Sequence, residues 1–141
     1  MAKVSVTVDL ALPADEVWAL IGSFADLARW GTGIIGTAIE GRGVGSVRTL
    51  SLAQGGVLKE RLEAEDQSQR SYTYSIIEGS LPVTNYRSTL QVDAAGKKSS
   101  RVTWSSSFEP KPGTSEARAV QIVTALYNSS LMAVKGKLGL A

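Results

Sequence analysis

Beyond Pro110 and Pro112 the chain carries one long amphipathic segment, and most of what precedes it alternates with the two-residue period of β-strands. That imbalance constrains the fold more than any motif does. A sheet with one apolar face has to cover it, and only one large helix is available. Thr114 or Ser115 is suited to cap this helix, Glu116 sits in its first turn, and Lys135 and Lys137 lie where the dipole favours cations. The spacing of Val120, Thr124, Tyr127, Leu131, Val134 and Leu138 predicts a helix over 114–138 with one apolar stripe.

At the other end, Val4, Val6, Val8 and Leu10 alternate with polar residues and predict a first strand. Pro13, Asp15 and Glu16 then have the chemistry of a helix first turn, followed by Val17, Leu20, Ile21 and Phe24 at helical spacing. A break near Gly22 and a second short turn over Ala25 to Trp30 complete this region. Six alternating stretches follow, including 44–52, 57–64, 72–77, 83–92 and 101–108, separated by Gly- and Pro-bearing hairpin loops. The expected fold is α+β: a curved, seven-stranded antiparallel sheet wrapped around the C-terminal helix, with two short helices after the first strand. All 141 residues belong to a single domain. One helix cannot fill the concavity of seven strands, so an internal cavity reaching solvent is expected, and with it a ligand site.

Several chemistries are excluded at once. Without Cys or His there is no disulfide, thiolate nucleophile, Ser-His-Asp triad or ordinary zinc site, so no metal and no cofactor is expected. A net charge of +2 is too small for a nucleic-acid footprint. No apolar run approaches a membrane span or a signal peptide, which makes the cytoplasm the expected location. Gly31-Thr32-Gly33-Ile34-Ile35-Gly36 spells a dinucleotide-binding pattern, yet a helix precedes it and a strand follows, the reverse of what such a site needs.

Strand parity is more informative. Leu58, Glu60, Leu62 and Ala64 share one face, opposite Lys59, Arg61, Glu63 and Glu65, so Glu60 points inward. Arg48 shares its face with Leu50 and Leu52 and points inward too. With Gln54-Gly55-Gly56 as a three-residue loop, Ala53 pairs with Val57, Leu50 lies opposite Glu60, and Arg48 is its diagonal neighbour. The same parity turns Tyr72, Tyr74, Tyr86, Leu90, Val102, Trp104 and Phe108 inward, and Tyr127 joins them from the helix. Trp18 and Trp30 fall near one mouth of the grip. An inward Arg-Glu pair is either a self-neutralising structural feature or a functional one, because buried pairs contribute little net stability over apolar replacements. The tyrosine hydroxyls need partners, which core packing or a lined pocket would supply.

The segments Val17-Trp18, Trp30, Gly45-Ser46-Val47-Arg48, Lys59-Glu60-Arg61-Leu62, Ser71-Tyr72-Thr73-Tyr74, Asn85-Tyr86 and Val102-Thr103-Trp104-Ser105, taken in order, resemble the START-related helix-grip superfamily. Within it they resemble the small polyketide cyclase/dehydrase and lipid-transport-like (SRPBCC) proteins, and among these the branch containing plant lachrymatory factor synthase. That resemblance covers nearly the whole chain. It implies a catalytic pair at Arg48 and Glu60 and a pocket tyrosine at Tyr86, while Val57 departs from the Trp of the plant enzyme. Other superfamily members bind hydrophobic ligands without transforming them.

The expected partner is therefore a small hydrophobic or aromatic molecule bound by a monomer or homodimer. In one reading the protein is a cofactor-independent lyase, cyclase or isomerase: Arg48 holds an anionic oxygen, Glu60 exchanges a proton, and Tyr72, Tyr74, Tyr86, Trp104 and Tyr127 surround the ligand. In a second it is a non-catalytic carrier. In a third it is an interaction module filled by its own side chains.

Overall fold

The computed structural model describes residues 1–139. Ala2–Leu10 forms β1, Ala14–Ile21 forms α1, and a short 3-10 turn spans Phe24–Arg29. Six strands follow, β2 (Ile34–Glu40), β3 (Val47–Leu52), β4 (Val57–Asp66), β5 (Ser71–Gly79), β6 (Val83–Gly96) and β7 (Ser99–Pro110), before α2 (Glu116–Lys137). All pairings are antiparallel, in the order β1-β7-β6-β5-β4-β3-β2. The fold is the expected α+β grip, a curved meander with β1 added beside β7. Among the described residues no helix is long and apolar enough to cross a membrane.

Ser115 caps α2 by accepting a hydrogen bond from the Arg118 amide at 3.1 Å, which satisfies one of the free donors of the first turn. The helix lies chiefly against β1 and β7. Its buried line is Ala119, Val123, Tyr127, Ser130, Leu131 and Val134, whereas Val120 and Thr124 are only half-buried. Tyr127 fixes the rotation of the helix, and steps of four residues back from it reach Val123 and Ala119, one residue away from the expected stripe. Thr32, ahead of β2, is tied to α2 through Ser129 and Ser130, which anchors the chain just after the 3-10 turn.

The β3–β4 hairpin keeps the expected parity but slips by two residues. Leu52 pairs with Gly56 through its amide at 3.1 Å, so the loop is Ala53-Gln54-Gly55 and Arg48 stands directly opposite Glu60. Both Gly55 and Gly56 adopt positive φ, a conformation open to glycine, and this lets the chain reverse one residue earlier than expected. Ala64, expected inward, is exposed, because a bulge between Leu62 and Ala64 shifts the register there. A second irregularity, at Asn85 with φ of 51°, reverses parity between the buried Val83 and the buried Tyr86.

Gly22 ends α1 under the ring of Trp18. A Cβ there would lie 2.5 Å from Trp18 Cδ2 and 2.6 Å from its carbonyl oxygen. Gly22→Ala is expected to destabilise the fold by about 1 to 3 kcal/mol through overpacking. The urea unfolding midpoint checks this, and an unchanged midpoint would show that Trp18 yields freely.

Candidate functional site

Every side chain expected in the site is buried inside the grip. Arg48 is 0% and Glu60 3% exposed, and they are the only charged side chains buried among the described residues. Arg48 Nε donates to Glu60 Oε1 at 2.8 Å, and Nη1 donates to the carbonyl oxygen of Phe24 at 2.8 Å. Nη2 lies 2.7 Å from the same Oε1, close enough for charge attraction but not aligned as a hydrogen bond. The guanidinium is flanked by aromatic rings, with Cζ 4.1 Å from the centroid of Phe24, 4.7 Å from Tyr74 and 5.8 Å from Tyr72.

Burial opposes the charge on Arg48, but the carboxylate of Glu60 holds its pKa above the ordinary value. Burial pushes the Glu60 carboxyl up, against the opposing pull of Arg48. The result is a permanent cation beside a carboxylate more basic than an exposed one.

A column of aromatic residues runs on from this pair. Tyr72 packs on Tyr74, and Tyr74 on Tyr86, with centroids 6.0 Å apart in both cases. Trp104 of β7 stacks on Tyr127 of α2 at 4.2 Å and 11°. Their polar ends converge: Trp104 Nε1–H points between Tyr74 Oη at 3.1 Å and Ser88 Oγ at 3.0 Å, and Tyr127 Oη meets both Ser88 Oγ and Tyr86 Oη. Burial raises the pKa of all four phenols, Tyr127 to about 12, so they remain neutral donors at physiological pH.

The structure thus brings all seven expected residues together, but not around an open chamber. Tyr72, Tyr74, Tyr86, Trp104 and Tyr127 are 1–5% exposed, because the rings pack on one another and Tyr127 fills the space beneath the helix. The open space lies at the mouth: a groove of about 550 Å³ bordered by Trp18, Ser23, Phe24, Ala25, Ser46 and Leu62. Trp18 Nε1 donates to Gln67 Oε1 at 2.8 Å there. A second hollow, about 520 Å³, lies on the outer face among Lys3, Ser5, Arg87 and Ser105.

Two contributors escaped the sequence reading. Ser88 is legible in hindsight, since it shares the inward parity of Tyr86 and Leu90. Phe24 acts through its backbone carbonyl, and no residue pattern reports where a carbonyl points.

An antiparallel sheet gripping one long helix defines the helix-grip class. Residues 1–139 match the family model described as polyketide cyclase/dehydrase and lipid transport, and the chain belongs to that family. XoxI from Bacillus cereus is 33% identical, with a TM-score of 0.91 over 97% of this chain and 95% of that one. Norcoclaurine synthase from Thalictrum flavum, solved in complex with dopamine and hydroxybenzaldehyde, is 25% identical, with a TM-score of 0.72 over 99% of this chain and 86% of that one. The Zhui aromatase/cyclase from Streptomyces sp. R1128 shares the fold at 18% identity, with a TM-score of 0.78 over 96% and 92% of the two chains. No curated protein matches the sequence at a significant level.

Arg48→Leu strands the Glu60 carboxylate and is expected to cost about 3 to 5 kcal/mol, whereas Arg48→Leu with Glu60→Leu is expected to return to near wild-type stability or above. Denaturant unfolding of both variants checks this. Stability should also depend on pH through Glu60. Its folded value is raised above the ordinary 4.5, so its contribution is complete below that value and is lost as pH rises through the raised one. Glu60→Gln should flatten that part of the stability profile.

Proposed function

We propose that this protein binds a small aromatic or hydrophobic molecule beside Arg48 and Glu60 and acts on it as a cofactor-independent acid–base catalyst of the cyclase, dehydratase or isomerase kind. The observation that carries this reading is the buried ion pair itself. A pair of this kind adds little stability over apolar side chains, and it concentrates a fixed positive charge and a basic carboxylate in a water-poor interior. Arg48 would stabilise an oxygen on which negative charge develops. Glu60, made more basic by burial, would take a proton from the neighbouring carbon and return it elsewhere on the same molecule. The buried phenols supply neutral hydroxyl donors that orient polar substituents. The aromatic compounds bound by norcoclaurine synthase, at 25% identity, support an aromatic ligand class.

A carrier without catalysis is the second reading, and the closed interior favours it: a pair already neutralised and rings already packed need only part for a ligand. One experiment separates the two. Aryl ketones incubated with the protein in D2O report proton abstraction as deuterium incorporation at the carbon beside the carbonyl. Wild type is expected to accelerate exchange, and Glu60→Gln to lose about a hundredfold or more of that acceleration while keeping its fold and ligand affinity, because an amide cannot accept the proton. Unaltered exchange in Glu60→Gln would remove Glu60 from any acid–base role and leave the carrier.

A further inference from the structure

Arg48 is wholly buried, yet its hydrogen-bonding capacity is not used up. Nε is engaged by Glu60 Oε1 and Nη1 by the carbonyl oxygen of Phe24, while Nη2, 2.7 Å from the same Glu60 oxygen, is not aligned to hydrogen-bond it. The aligned hydrogen bond made by the two Nη groups is thus to one neutral backbone oxygen. A carboxylate matches the Nη1–Nη2 edge better than a carbonyl does, since it accepts two parallel N–H bonds and carries the opposite charge. Glu60 sets one oxygen against both Nε and Nη2, so a second carboxylate would use the other N–H of Nη2 together with Nη1.

Phe24 also covers the guanidinium with its ring, 4.1 Å from Cζ. One residue thus presents both an aryl ring and an oxygen acceptor to Arg48. The same residue borders the groove at the mouth, so it forms the wall between solvent and the ion pair. That wall is weakly built. The Phe24–Arg29 turn is broken by non-helical φ/ψ at Asp26, and its N-cap Ser23 makes no side-chain capping bond. At the rim, Arg42 and Glu65 carry opposite charges, which leaves Arg48 to decide the sign of what is admitted.

We propose that Phe24 occupies the place of the ligand, and that the ligand is an aromatic carboxylate which enters by the groove, displaces Phe24 from Arg48 and sets its carboxylate on the Nη1–Nη2 edge. This rests on the reading that ligands bind beside the Arg48–Glu60 pair. A neutral aromatic of the same shape replaces the ring but gives Nη1 a poorer acceptor or none, and an unpaired buried donor is unfavourable. The site accordingly discriminates by charge rather than by ring size.

The test titrates the wild-type protein with 1-naphthoate and with 1-naphthylmethanol, following backbone amides and the Arg48 Nε–H resonance by NMR. Saturable one-to-one binding is expected, with naphthoate tighter by about tenfold or more. The largest shifts should fall at Ser23, Phe24, Ala25 and Arg48. Equal affinities, shifts confined to the outer hollow around Ser5 and Ser105, or no saturable binding would overturn the proposal. Phe24→Ala removes the ring but keeps the carbonyl, and is expected to raise naphthoate affinity several-fold. Unchanged or weaker binding by a cooperatively unfolding Phe24→Ala protein also overturns it, and if that variant does not fold, the wild-type titration decides. Naphthoate binding of this pattern without Glu60-dependent deuterium exchange supports the ligand class and the carrier reading together. Glu60-dependent exchange without any preference for the carboxylate overturns the ligand class alone.

Discussion

A guanidinium taken out of water is tolerable only where its charge and its donors are met, and the interior of this protein is arranged around meeting those of Arg48. The charge is answered by Glu60 directly across the β3–β4 hairpin, one donor by the Phe24 carbonyl, and the flat faces by aromatic rings. Each of these fixes something else. The pairing of Arg48 with Glu60 is one with the register of two strands, and the Phe24 contact ties the 3-10 turn to the sheet. An unpaired charge at this depth would cost about 3 to 5 kcal/mol, as much as the largest packing defects.

The second constraint is geometric: one helix must cover seven strands. The chain meets it with volume, filling the grip with Tyr72, Tyr74, Tyr86, Trp104 and Tyr127 and joining their polar ends through Ser88. A closed, mutually bonded interior results. On the proposed function, room for a ligand would come from the parting of rings or of the mouth, which lies under a short turn broken by non-helical φ/ψ at Asp26.

Electrostatics assigns the parts. The phenols stay neutral because burial disfavours their anions, which leaves them as hydrogen-bond donors, and in the proposed reaction the proton transfer falls to Glu60. Membership in the polyketide cyclase/dehydrase and lipid transport family is compatible with both catalysis and carriage, since a fold hosts many functions and the site decides among them.

Much of this was determined by the sequence alone. Period-two alternation and glycine-bearing turns specify the seven strands, and the stripe through Tyr127, Leu131 and Val134 specifies the helix, because both are local patterns of apolar residues. Parity likewise places Arg48, Glu60 and the tyrosines on the inner face, a consequence of pleating that needs no tertiary information. Tertiary structure decided what depends on distance between remote segments. The exact partner of Arg48 across the hairpin turned on where two positive-φ glycines let the chain reverse, and the exposure of Ala64 on a bulge. Whether the grip would hold a chamber or close on itself turned on how five large rings fit together, and side-chain packing in three dimensions leaves no periodic trace. The carbonyl of Phe24 reached Arg48 only because the 3-10 turn came to lie over β3, for a backbone oxygen points where the fold carries it, whatever residue bears it.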